Sequence, residues 1–147
     1  TGGGTVGHPG NVARPYVITS PVYDAVDNTS LVGDDVVKLV DLPADTMVIG
    51  GCVEVLEASG NAQITLDVGT STDVDAFVDG GASNAAADIQ FNLKAAGGNL
   101  VTAADSVQVT ILDGGSSATT PLRFRVHAVC VDVSNNPVES ATVSTGT

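Results

Sequence analysis

The sequence has no tryptophan, a single methionine and only five aromatic side chains, two Tyr and three Phe. Sugar-binding modules stack pyranose faces on Trp or Tyr platforms, so a carbohydrate role has little to build on. Basic residues are equally scarce: five Lys and Arg stand against 17 Asp and Glu, for a net charge of −12. No basic stripe exists to displace phosphate counterions, which excludes a general nucleic-acid binder. The same deficit disfavours docking on an anionic membrane, and no apolar run approaches the roughly 20 residues of a membrane helix. Two cysteines in a domain of this size are no disulfide scaffold. Without CxxC or HxxxH spacing, two Cys and two His do not make a structural zinc site.

What is present favours extended structure. Valine occurs 24 times and glycine 17 times in 147 residues, a mixture that fits strands and turns better than helices. The length fits one domain with a core that needs no staples. The chain begins at Thr1, as removal of an initiator Met before a small residue would leave it. No basic n-region with an apolar stretch follows, so no secretory signal is visible. Residues 1–11, TGGGTVGHPGN, have no periodicity and read as a flexible N-terminal arm. Residues 134–147 are small and polar and read as a C-terminal tail, leaving a folded body over 12–133.

Inside the body the apolar period is two. Strands are expected at 16–18, 21–26, 36–41, 46–58, 62–68, 89–93, 106–112 and 121–133. Pro15 and Pro21 assign the first two to an edge, because proline cannot donate to a central ladder. Pro43 suits the second position of a turn over 42–45. The Gly50-Gly51 pair marks a bend or bulge in the long strand. Turns are expected at 59–61, 80–81, 97–99 and 113–115, and the Ala-rich 82–87 offers at most one helical turn. The strands 46–58 and 121–133 are amphipathic at one end and apolar on both faces at the other, as if passing under a cover. Many short strands with no convincing helix define an all-β chain, a single antiparallel β-sandwich that is jelly-roll-like.

Candidate chemistry is thin. His8 lies in the arm, and His127 shares a strand face with Arg123 and Arg125. No GxSxG elbow places a serine beside either histidine. Glu54 and Glu57 are expected on opposite strand faces, so they form no acid/base pair. Asp73, Asp75 and Asp79 in GTSTDVDAFVDGG resemble the start of a calcium loop. Phe77 stands where a ligand belongs and no Glu closes the loop, so a solvated acidic turn with Phe77 facing inward competes with calcium. No other cofactor is indicated. Cys52 and Cys130 both fall in apolar strand patterns, as buried thiols or as a disulfide closing a long loop. Arg123 and Arg125 either pair with local aspartates or are reserved for a partner's carboxylates.

The segment 36–77, VVKLVDLPADTMVIGGCVEVLEASGNAQITLDVGTSTDVDAF, resembles a pattern recurrent in small structural proteins of tailed bacteriophages. A strand leads there to L-PAxT, a long valine-rich strand, a Gly/Asn turn, an alternating strand ending in VG, and a D-x-D-x-F loop. Leu42, Pro43, Ala44, Thr46, Val68, Gly69, Asp73, Asp75 and Phe77 carry the match, and the closing strand 124–133 is similar too. The resemblance implies a capsid decoration (cement) protein, a head fibre or another virion accessory without enzymatic activity. It further implies a homo-oligomer, a trimer being favoured, that binds the major capsid protein on the outside of the virion. Contacts would then fall to Val6, His8 and Pro9 of the arm, to Val12 just after it, and to Arg123 and Arg125. The alternatives are a glycan-type ligand-binding module with calcium at Asp73, Asp75 and Asp79, or a tail-located virion accessory.

Overall fold

Proline and valine set the first elements. The computed structural model describes residues 14–25, 34–93, 99–113 and 121–134. Strands β1 (Tyr16–Thr19) and β2 (Tyr23–Asp24) follow Pro15 and Pro21 and pair along one side of β10 (Arg123–Asp132). The two prolines confine this stretch to a sheet edge, as their missing N–H groups require. The remaining strands are β3 (Asp35–Leu42), β4 (Thr46–Glu57), β5 (Thr65–Gly69), β6 (Val78–Ala82), β7 (Asp88–Gln90), β8 (Leu100–Val101) and β9 (Asp105–Leu112). Among the described residues there is no helix, and so none that could cross a membrane.

Two antiparallel sheets face each other. The larger has the order β1-β10-β4-β7, with β2 continuing the edge of β1 and β8 continuing the edge of β7. The smaller has the order β3-β9-β5-β6. The ten segments thus fill four strand places in each sheet. Every connection between places changes sheet except the step from β5 to β6. This is the two-Greek-key connectivity of a jelly roll, so the sandwich read from the sequence is the fold observed.

Alternation then builds the core. Val48, Val53, Val55, Phe124, Val126, Ala128 and Cys130 point in from the larger sheet. Val40, Leu42, Leu66, Val68, Val107, Val109 and Ile111 meet them from the smaller one, and all are buried. Phe77 enters from the 70–77 loop, is fully buried, and stacks on Phe91 with ring centroids 5.1 Å apart.

Several local expectations fail for identifiable reasons. Residues 62–64 belong to a turn, because the Asn61 side chain accepts from Gln63 N at 2.9 Å and its carbonyl accepts from Ile64 N at 3.2 Å. The strand expected over 89–93 stops at Gln90, since Asn92 N is drawn off the ladder to Phe77 O at 2.7 Å. Gly80 and Gly81 lie within β6 rather than in a turn. A Cβ on Gly81 would come within 2.8 Å of Val78 and 3.1 Å of Ile89, so glycine here permits close approach. Ser83, fully buried, hydrogen-bonds Ile64 O at 2.6 Å, and 84–87 form bends rather than a helical turn. Two bulges shape β4 against β10. One doubles Ile49 and Gly50 against Val129, where the Gly pair predicted it, and the other leaves Leu56 as an extra residue. That second bulge moves Glu57 onto the face of Glu54, against the expectation of opposite faces.

Candidate interaction face on the larger sheet

Odd-numbered residues of β10 point away from the core. Arg123, Arg125 and His127 therefore line up on the outer face of the larger sheet, at a spacing of two. The neighbouring strand β4 places Glu54 opposite Arg125 and, through its bulge, Glu57 opposite Arg123. Arg125 Nε donates to Glu54 Oε2 at 2.6 Å and Nη2 donates to Oε1 at 3.3 Å, a fork-to-fork pair. His127 Nε2 lies 2.6 Å from the same Glu54 Oε2, and Nδ1 lies 2.9 Å from Thr19 Oγ1 on β1. Arg123 is held more loosely, 3.4 Å from Asp24 and 3.9 Å from Glu57.

The chemistry of this cluster follows from its donors. Hydrogen bonds from Arg125, then from His127, hold the Glu54 carboxyl at about 2, below its ordinary 4.5. An ionised carboxylate only accepts, so the proton of a neutral His127 sits on Nε2 and its Nδ1 lone pair takes the Thr19 hydroxyl. Both ring nitrogens are thereby engaged, and the network joins β1, β10 and β4 as a cross-strand clasp. Arg125 directs its charge into its own chain, but to a glutamate on the neighbouring strand rather than to one of the aspartates expected from the sequence.

The remaining candidates are placed apart from this cluster. Asp73 closes a tight turn in which Thr70 N donates to Asp73 O at 2.9 Å and Asp73 N to Thr70 Oγ1 at 3.3 Å. Asp79 is exposed on β6, while Phe77, between Asp75 and Asp79, faces into the core. Among the described residues, no three Asp, Glu, His or Cys side chains gather where they could hold a metal ion. The same loop is anchored from the other side by Asp105. Burial pushes that carboxyl up, but hydrogen bonds from Ser106 N, Ser71 Oγ and Ser71 N outweigh it and hold it below its ordinary value.

Cys130 is buried in the core, whereas Cys52, expected inside, sits half-exposed on the outer face opposite His127. Both are free thiols on opposite faces of the sheet. Val6, His8, Pro9 and Val12 lie outside the described residues. Sequence reasoning missed the partners Glu54 and Thr19, which become visible only once the register sets them beside β10.

The arrangement of eight strand places in two sheets defines a jelly-roll protein with a charged outer sheet face. By sequence, the chain matches no protein-family model and no curated protein. By structure, it shares its fold with chains of phage capsids. A chain of the cyanophage Pam1 capsid asymmetric unit superposes with a TM-score of 0.61 at 18% identity, over 89% of this chain and 94% of that one. A chain of the acidic stable capsid of Helicobacter pylori bacteriophage KHP30 gives 0.60 at 14% identity, over 88% and 97%. One from the capsid of Ralstonia phage GP4 gives 0.56 at 14% identity, over 86% and 88%.

Proposed function

We propose that the chain is a non-enzymatic structural component of a phage virion, a decoration protein on the outer face of the major capsid shell that acts as a homo-oligomer, with a trimer favoured. One observation carries this reading: the likeness to phage capsid chains runs over nearly the full length of both partners. The similar chains are thus of this chain's own size, whole jelly rolls rather than jelly rolls set into a longer shell protein. The engagement of both His127 nitrogens by Glu54 and Thr19 speaks against a catalytic use of that histidine. A net charge of −12 suits an outward position, where repulsion keeps particles dispersed. The arm residues Val6, His8 and Pro9, with Val12 just after them, are assigned to contact with the shell.

Co-sedimentation tests the assignment. Purified chain mixed with shells stripped of it is expected to pellet with them. A variant lacking residues 1–11 should remain in the supernatant while keeping the far-UV circular dichroism of the intact chain. Failure of the intact chain to pellet overturns the decoration role, and pelleting of the truncated chain overturns the role of the arm.

A further inference from the structure

The outer face of the larger sheet has a second half, at the end where β1 begins and β10 ends. Val17 is 63% exposed, Leu100 43% and Ile49 41%, and Met47, Val129 and Val131 are half-buried beside them. The register makes these side chains one continuous band. Val17 lies opposite Val129, Val129 opposite Gly50, Val131 opposite Met47, and Met47 opposite Leu100. The band therefore crosses the whole sheet from one edge to the other. Both long strands are apolar on both faces here, the pattern of a covered strand, yet no layer of described residues covers the outer side.

Three observations say what does. The first is charge. A chain of −12 repels its own copies, and this band contains no acidic residue, so copies can meet on it without stacking carboxylates. The second is the rim. Arg14 is exposed and makes no ion pair among the described residues, while Asp132 and Asp45 flank the same end, giving opposite charges that two copies can exchange. The third is where the chain leaves the body. Tyr16 pairs with Cys130, so residues 1–13 and 135–147, 13 at each terminus, both join the body beside the band and can extend a contact made there.

We infer that the band of Val17, Met47, Ile49, Leu100, Val129 and Val131 is the surface on which a second copy of the chain docks. This rests on the homo-oligomer part of the function proposed above and names its surface. Light scattering after size exclusion should give the full chain a multiple of 14.6 kDa. Val17→Asp and Leu100→Asp, from opposite edges of the band, should each fall to the monomer mass with unchanged circular dichroism. Val36→Asp, 49% exposed on the smaller sheet, should keep the parent mass.

A second readout needs no variant. Met47 is the one methionine, so its oxidation by peroxide should be several-fold slower at oligomer-forming concentration than after dilution. Parent mass retained by both band variants, or equal oxidation rates, overturns this surface and leaves the homo-oligomer standing. A monomeric parent chain overturns both, while attachment to the shell is still decided by sedimentation.

Discussion

Replacing Phe77 by alanine removes a fully buried ring that holds the acidic loop onto the core. The ring stacks on Phe91 at 5.1 Å, and its backbone is fixed on both sides, N to Val68 O at 2.8 Å and O to Asn92 N at 2.7 Å. With the backbone so pinned the site cannot collapse, and the loss should sit in the range of about 3–5 kcal/mol seen for buried Phe→Ala. Phe77→Leu keeps most of the volume and should cost about 1 kcal/mol. Against a total of roughly 5–15 kcal/mol for a domain, the alanine variant stays folded but loses about 10 °C in melting temperature. With no tryptophan to report, urea unfolding is followed by far-UV circular dichroism. The midpoint should drop with an unchanged slope. A loss below about 1 kcal/mol for Phe77→Ala would refute the argument that this ring, rather than a bound cation, organises the loop.

Other substitutions probe the sheet and its outer face. Glu54 is held at about 2 in the fold against an ordinary 4.5, so its contribution to stability is complete above about pH 4.5 and is lost as pH falls through about 2. The stability gap between the parent and Glu54→Gln should therefore be largest near neutrality and close toward pH 2 in urea titrations; a gap independent of pH would contradict the clasp. Gly51 has φ +148°, and a Cβ there would strike the His127 carbonyl and lie 2.6 Å from Phe91 Cε2. Gly51→Ala should cost about 3 kcal/mol by thermal melting. Gly60→Ala, at φ +71° with nothing within 4 Å, should cost only about 1 kcal/mol. Burial pushes both thiols up in pKa, yet only Cys52 faces outward. A thiol reagent should therefore modify Cys52 slowly in the folded chain and Cys130 only after denaturation; fast reaction of both would contradict the placement.

The period-two pattern made the sandwich legible, because alternation is a local signal. Pro15 and Pro21 likewise placed the first edge, and Phe77 announced itself as inward-facing by standing among aspartates. What stayed hidden depends on register. Glu57 shares a face with Glu54 only because Leu56 is an extra residue in a bulge, and no local pattern predicts which residue is doubled. Strands β6 and β8 are short and carry glycines or a lone apolar pair, so they exist because neighbouring strands offer them a ladder. The doubly apolar ends of β4 and β10 are visible in the sequence, where they read as covered. Among the described residues no layer covers their outer side, so the apolar pattern there answers to no contact within the two sheets.

Cryo-electron imaging of intact virions containing the chain tests the central claim most directly. The account predicts jelly-roll density on the outside of the capsid shell, in repeated homo-oligomeric clusters. Density for this fold confined to the tail, or a fully resolved shell bearing none on its outer face, would contradict it.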